Sequence, residues 1–272
     1  MCMRGWLVLG AALAAATGLA GAALAVGPWP GLAPSVQDST GLRYTAHPAG
    51  GETIVKAVRG GKVIASATID GAFGIPAVTS AGAAGGLSPD GRLLVLAEPP
   101  RYYGLRDRSR FLLVSTRPLS LVQKIELRGE FGFDALSPNG STLYVIQHVA
   151  SNDLVRYVVR AYDLRTRRLL AQPIVDKRTP DETMRGYPVT RTTSQRGDWV
   201  YTLYTRGTDT KGVFVHALNA SGRYALCVDL PRWPVGANIW NARLEVSGRK
   251  LLVRAGSNAL VATIDMDKLR VL

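Results

Sequence analysis

Apolar and polar residues alternate in short runs along most of this chain, and glycine, proline or small polar residues interrupt the runs. A period of two is the pattern of a β-strand that buries one face. Frequent turn residues between such runs are typical of hairpins. The pattern therefore predicts an all-β fold built from many short antiparallel strands.

One turn sequence recurs along the chain. GLSPDGRLLVL begins at Gly86 and ALSPNGSTLYVI begins at Ala135, and each places Ser, Pro and Gly where a type I turn favours them. Degenerate copies turn at Gly197 and Gly248. A second kind of hairpin lies between these turns, so the chain repeats four strands in roughly 50 residues, which is the period of a β-propeller blade.

The repeat predicts a propeller of about five four-stranded antiparallel blades. Six blades are possible if residues 28–41 pair regularly, and the segment 32–36 or the C-terminal strand is expected to supply a strand missing from the first blade. The alternative is a β-sandwich, but it does not require hairpins in phase. The predicted blades are residues 42–69, 85–127, 133–175, 189–230 and 242–272.

The order of SPDG, a strand and a V-x-x-Y-D-L-x-T-x-x-x-L hairpin resembles the bacterial WD40-like, SPDG-type propeller repeats. Residues 87–96, 136–146, 158–170 and 261–271 carry this resemblance. The Trp-Asp and Gly-His dipeptides of eukaryotic WD40 repeats are absent from the expected places. The resemblance implies an extracytoplasmic β-propeller.

The N-terminus has the layout of a secretory signal. Arg4 is the only charge before Asp38, an apolar stretch follows it, and Ala23-Leu24-Ala25 ends the stretch with an A-x-A cleavage pattern. We predict a signal peptide at 1–25, a linker at 26–41 and the propeller at 42–272. The alternative is a retained anchor, which would be the only membrane contact; in both cases the remainder is secreted or associated with the cell envelope.

The composition limits which classes of ligand and cofactor we expect the protein to bind. The net charge is +13, which favours anionic ligands, but the basic residues are scattered and form no arm for nucleic acid. Cys227 is the only cysteine left after cleavage, so neither a disulfide nor a zinc site is predicted, and the thiol is expected to be buried. We predict no cofactor, no metal and a monomeric protein.

Loop lengths select the candidate binding face. Hairpin turns are short on one face of the predicted propeller, and the connections on the other face, here called the long-loop face, are long and rich in Arg, Tyr and Trp. These residue types are enriched where proteins bind ligands. Asp134 begins an innermost strand and is expected in the central channel. The candidate ligand-binding residues are Arg101, Tyr102, Tyr103, Arg106, Arg108, Asp134, Arg185, Tyr187, Trp233, Trp240 and Asn241.

Catalytic motifs are absent from the sequence. It contains no G-x-S-x-G, H-E-x-x-H, P-loop or G-x-G-x-x-G, and its three histidines fall in different predicted blades. The sequence therefore favours a non-catalytic propeller that binds a protein, a cell-envelope polymer or another anionic or polysaccharide ligand. The alternatives are a hydrolase or lyase with a channel site near Asp134, and an anchored sensor.

Overall fold

The computed structural model describes residues 31–101, 104–150, 153, 155–180, 183–207 and 212–272. The predicted signal peptide and Cys2 lie outside these residues, as do Tyr102 and Tyr103. None of the described segments forms an apolar helix of membrane-spanning length. The described chain is built almost entirely from short antiparallel strands, and its one helical element is a 3-10 turn at Ile239–Asn241.

The strands of the first three blades follow one another along the chain, after a short strand β1 at Leu32–Ala33. The first blade contains β2 (Val36–Gln37), β3 (Arg43–Ala49), β4 (Glu52–Arg59) and β5 (Lys62–Asp70). The second contains β6 (Ile75–Pro76), which pairs with β1, and β7 (Leu93–Ala97), β8 (Arg108–Thr116) and β9 (Leu119–Arg128). The third contains β10 (Glu130–Leu136), β11 (Thr142–His148), β12 (Arg156–Asp163), β13 (Arg168–Leu169) and β14 (Met184–Arg185).

The last two blades are regular four-stranded meanders. The fourth contains β15 (Tyr187–Thr193), β16 (Trp199–Thr205), β17 (Val213–Asn219) and β18 (Tyr224–Asp229). The fifth contains β19 (Arg243–Ser247), β20 (Lys250–Arg254), β21 (Leu260–Asp265) and β22 (Arg270–Val271).

These sheets confirm the predicted all-β propeller of five blades. Val36–Gln37 supplies the strand that the first blade lacked, as expected for the N-terminal segment. The C-terminal strand instead pairs within its own blade. The inner edge of the second blade is irregular: its main sheet has three strands, and isolated bridges from Gly74 and Leu87 extend it.

The recurring turns owe their geometry to a serine and a glycine. In the second blade the Gly91 N–H donates to the Ser88 carbonyl over 2.8 Å, and the Ser88 hydroxyl accepts the Leu93 N–H over 2.9 Å. The turns at Ser137 and Ser194 repeat both bonds. The glycine closing each turn has a φ near +70°, a conformation that costs glycine little and other residues more.

Hydrophobic clusters join consecutive blades. One contains Tyr44 and Leu94 from the first and second blades, and another contains Leu113 and Val145 from the second and third. Further clusters join the third to the fourth blade and the fourth to the fifth. Within the described residues, no hydrophobic cluster, hydrogen bond or ion pair joins the fifth blade to the first.

Segments of the second blade reach into the central channel at both faces of the propeller. At the short-turn face, a Cβ on Gly197 would lie 2.5 Å from Pro89, so the turns of the fourth and second blades meet at the axis. At the other end, the chain at 77–84 crosses the channel, and the Ser80 N–H donates to the Pro188 carbonyl over 2.8 Å. Residues 70–84, which lie between the first two predicted blades, are thus partly built into the channel.

Candidate ligand-binding site

A cavity of about 50 Å³ lies where the channel opens on the long-loop face. The ends of strands from the second, third and fourth blades form its wall, and we call it the mouth cavity. Apolar and aromatic side chains predominate in this wall, because the inward-facing residues of the innermost strands line it. Its principal wall residues are Phe131, Phe133, Ile146, His148, Tyr157 and Tyr204.

One ion-pair cluster fixes the rim of the mouth cavity. The Arg106 Nη2 and Nε donate to the Glu130 carboxylate over 2.7 and 2.9 Å, and the Arg106 backbone N–H donates to the same carboxylate over 2.6 Å. Glu98 lies 3.6 Å from the guanidinium. Because Glu130 is buried at the start of β10, this bidentate pair anchors the loop that carries Arg106. Arg106 is therefore neutralised within the protein.

Two tyrosines line the mouth cavity, Tyr157 and Tyr204. Tyr157 is 3% exposed, and its hydroxyl has no hydrogen-bond partner among the described residues. Burial, and then the neighbouring Tyr204 phenol, raise the pKa of Tyr157 well above its ordinary range, although the two hydroxyls do not reach regular hydrogen-bond geometry. Burial likewise raises the pKa of Tyr204 to about 12. Both phenols stay protonated and can donate hydrogen bonds.

The aromatic rings behind these hydroxyls form one continuous row. His148 and Tyr157 have ring centroids 5.7 Å apart, Tyr157 and Tyr204 are 6.0 Å apart, and Tyr204 stacks on Phe214 at 5.3 Å. These spacings lie within the range of favourable ring contacts. The row links the third blade to the fourth and gives the cavity a rigid wall.

Asp134, predicted to lie in the central channel, is buried, and its carboxylate is already bound. It forms an ion pair with the Arg191 guanidinium, which also donates to the Asp134 carbonyl over 2.5 Å and to the Thr202 hydroxyl over 2.8 Å. Both charged side chains are about nine-tenths buried. Asp134 lines neither the mouth cavity nor the smaller cleft between the third and fourth blades. Its environment is that of a structural pair joining the third and fourth blades.

The predicted arginines do not converge on one site. Arg101 is exposed on the loop before Arg106 and makes no ion pair with any described residue. Arg108 points to the outer surface and pairs with Glu126 over 2.7 Å. Arg185 is exposed and pairs with Asp153 over 3.2 Å.

The predicted aromatic residues divide between core and surface. Trp233 is 1% exposed, packs in the cluster between the fourth and fifth blades, and donates its indole N–H to the Ala237 carbonyl over 3.1 Å. Trp240 is 40% exposed and contacts Tyr187 edge-on at 6.4 Å. Asn241 is exposed and ends the 3-10 turn against Gly256. Trp233 therefore belongs to the fold, whereas Trp240 and Tyr187 stay available at the rim.

Three aromatic residues of the mouth cavity were not among the predicted site residues: His148, Tyr157 and Tyr204. The feature of the sequence that could have identified them is their position in the predicted strands. Each lies at the end of a strand that meets a long connection, where inward-facing side chains must converge on the channel. Aromatic or charged residues at strand ends on the long-loop side would have identified them.

Comparison with known proteins describes shape only. No protein-family model and no curated protein sequence matches this chain. Among solved structures, hydrazine synthase from Kuenenia stuttgartiensis is 14% identical, with a TM-score of 0.45, and the match covers 88% of this chain and 78% of that one. The Dos1 propeller is 14% identical with a TM-score of 0.47, and the match covers 86% and 55%.

Hydrolytic proteins are also among these matches. A prolyl endopeptidase is 13% identical with a TM-score of 0.48, and the match covers 90% of this chain and 36% of that protein. Puromycin hydrolase is 16% identical with a TM-score of 0.44, and the match covers 89% and 38%. The chain thus spans little more than a third of the length of these two hydrolases, and similarity at this level says nothing of activity.

Proposed function

We propose that this protein is a non-catalytic propeller, secreted or associated with the cell envelope, that binds a protein or an anionic envelope polymer on its long-loop face. The ligand places an apolar group carrying a hydrogen-bond acceptor in the mouth cavity. The observation that supports this most directly concerns Tyr157, a residue of the cavity wall: its hydroxyl is buried and protonated, and it has no hydrogen-bond partner among the described residues. A bound acceptor would remove the cost of that unsatisfied donor.

The charge around the cavity supports an anionic ligand at the rim rather than inside. Arg106 is the one Arg or Lys among the described residues that line the cavity, and Glu130 neutralises it. Arg101 on the neighbouring loop and Arg232 after the fourth blade are exposed and have no ion-pair partner among the described residues. Acidic groups of a ligand would therefore contact the rim while its apolar group fills the cavity.

The proposal does not extend to hydrolysis or elimination. The Asp134 carboxylate, which a channel enzyme would need free, is held by Arg191. No observation on the described residues favours that alternative over binding.

Paired variants test the mouth cavity. The immobilised protein, lacking residues 1–25, is used to capture partners from envelope extracts of the producing cells. Tyr157→Phe removes the unsatisfied hydroxyl with little change of shape, and Ile146→Trp fills the cavity. Tyr44→Phe and Tyr201→Phe are matched controls, because their hydroxyls are equally buried and unsatisfied but lie away from the cavity.

Loss of the captured partners with both cavity variants, and retention with both controls, would support the proposal. Equal capture by all four variants would refute binding at the mouth cavity. For the rim, Arg101→Glu combined with Arg232→Glu should weaken capture, whereas Arg196→Glu on the short-turn face should not.

Localisation has its own test. N-terminal sequencing of the protein recovered from the culture medium or envelope should begin at Val26. Recovery only from the cytosol would refute the proposed compartment.

A further inference from the structure

A narrow cleft of about 20 Å³ lies between the third and fourth blades, separate from the mouth cavity. β12, β14, β17 and β18 border it, and three soft or borderline donor side chains line it: Met184, His216 and Cys227. We call it the sulfur cleft. Its volume is close to that of one or two water-sized sites, too small for an organic ligand but sufficient for an ion.

The two sulfur atoms are spaced as ligands of one metal ion. The Cys227 Sγ lies 3.7 Å from the Met184 Sδ. For metal–sulfur bonds of about 2.3 Å, this spacing corresponds to a sulfur–metal–sulfur angle of about 107°, close to the tetrahedral value. The sulfur positions would therefore need little rearrangement to share an ion.

His216 supplies a third donor on the same side of the sheet. It is the direct cross-strand partner of Cys227 on β17 and β18, and directly opposed side chains lie on one face. His216 is 4% exposed, and its imidazole makes no hydrogen bond to any described residue. His216 also lines the cleft, and neutral imidazole is a common metal ligand.

The cationic side chains near the cleft are engaged by other groups. Arg178 donates to Asp176 over 2.5 Å, Arg185 pairs with Asp153, and the Arg206 guanidinium lies over the Phe214 ring at 4.9 Å. Asp176 in turn accepts the Cys227 backbone N–H over 2.8 Å, so its carboxylate is also occupied. Among the described residues, no group of three or more His, Cys, Asp or Glu side chains could hold a metal. The cleft thus offers soft donors without free carboxylates.

We propose that Met184, His216 and Cys227 bind one Cu(I) ion in the sulfur cleft. Thiolate and thioether ligands favour this soft monovalent ion, whereas a hard cation would require carboxylate or carbonyl oxygens. Binding deprotonates the Cys227 thiol and releases one proton to solvent, so the charge of the thiolate balances that of the ion. This inference concerns a site other than the mouth cavity and does not depend on the proposed function.

Anaerobic competition with the chromophoric chelator bicinchoninate tests the proposal, using the reduced protein without residues 1–25. One Cu(I) per chain should be withdrawn from the chelator. Cys227→Ser should abolish this binding, and Met184→Leu and His216→Gln should each weaken it at least tenfold. Met266→Leu and His47→Gln, which change the same residue types outside the cleft, should leave it unchanged.

X-ray absorption of the Cu(I)-loaded protein should show two sulfur neighbours and one nitrogen, and Met184→Leu should remove one sulfur. Circular dichroism of each variant checks that the fold is retained; Met184→Leu is nearly isosteric and keeps the test valid if Cys227→Ser is unstable. Failure to compete with the chelator, equal weakening by the control variants, or tighter binding of Zn(II) than Cu(I) would overturn the assignment.

Discussion

Gly197 provides the sharpest test of how the turns meet at the channel axis. It closes the recurring turn of the fourth blade with a φ of +73°, and a Cβ there would lie 2.5 Å from the Cγ and 2.7 Å from the Cβ of Pro89. Gly248 occupies the same place in the fifth blade with a φ of +58°, and a Cβ there would meet nothing within 4 Å. The two glycines share a conformational demand and differ in their surroundings.

Two contributions to the cost of alanine can therefore be separated. Placing an L-residue in the left-handed region costs about 1–2 kcal/mol, and both variants incur this. Inserting a methyl group against a rigid proline ring adds about 1–3 kcal/mol of overpacking, and only Gly197→Ala incurs this second cost. We expect Gly197→Ala to lower the free energy of unfolding by about 2–5 kcal/mol and Gly248→Ala by about 1–2 kcal/mol.

Urea unfolding followed by tryptophan fluorescence measures both values. The slope of the free energy against urea concentration should be unchanged, since the surface exposed on unfolding is the same. If the free energies of unfolding of the two variants differ by less than about 0.5 kcal/mol, the contact between the turns of the second and fourth blades at the axis is refuted. A Pro89→Ala background should then reduce the difference between them, because the alanine methyl would face a smaller neighbour.

Three further predictions concern charge, protonation and the turns. Asp134→Ala should lower the free energy of unfolding by about 3–5 kcal/mol, because it leaves the Arg191 guanidinium buried without its carboxylate. The double variant Asp134→Leu with Arg191→Met should lose less stability in the same urea assay; an equal or larger loss would contradict this interpretation. Burial lowers the pKa of His216 to about 4, so the stability that the neutral ring contributes is complete above about pH 6.5 and is lost as the pH falls toward 4. Wild type should lose roughly 2 kcal/mol more than His216→Gln between pH 7 and pH 4.5, and parallel losses would argue against a buried neutral imidazole. Ser137→Ala should lower the free energy of unfolding by about 1 kcal/mol, because the Ser137 hydroxyl accepts hydrogen bonds from the backbone N–H groups of Ser141 and Thr142. An unchanged urea midpoint would show that water takes over these hydrogen bonds from the hydroxyl.

Local chemistry made the architecture predictable. The turns at Ser88, Ser137 and Ser194 are specified by residues within a few positions of one another, so the sequence reveals them directly. The alternation of apolar residues then assigns strands to hairpins, and the roughly 50-residue period assigns hairpins to blades. The strand at Val36–Gln37 was expected for a related reason, since a blade with three strands leaves an edge unpaired.

Long-range pairing explains what the sequence did not reveal. The path of residues 77–84 across the channel depends on a hydrogen bond to Pro188, more than 100 positions away. Arg106 looks like an exposed loop arginine until Glu130 is brought beside it, and Trp233 looks like a binding residue until two blades close over it. The mouth cavity was missed because its wall is assembled from three separate blades, and only the tertiary fold brings these residues together.

The buried clusters between consecutive blades bear on which part of the chain unfolds last. The second, third and fourth blades are each flanked by such clusters on both sides, and stability accumulates from one interface to the next as it does in a solenoid. The third blade, in the middle of this series, should exchange its amide hydrogens last. The binding that we propose at the mouth cavity would therefore involve the most persistent part of the chain.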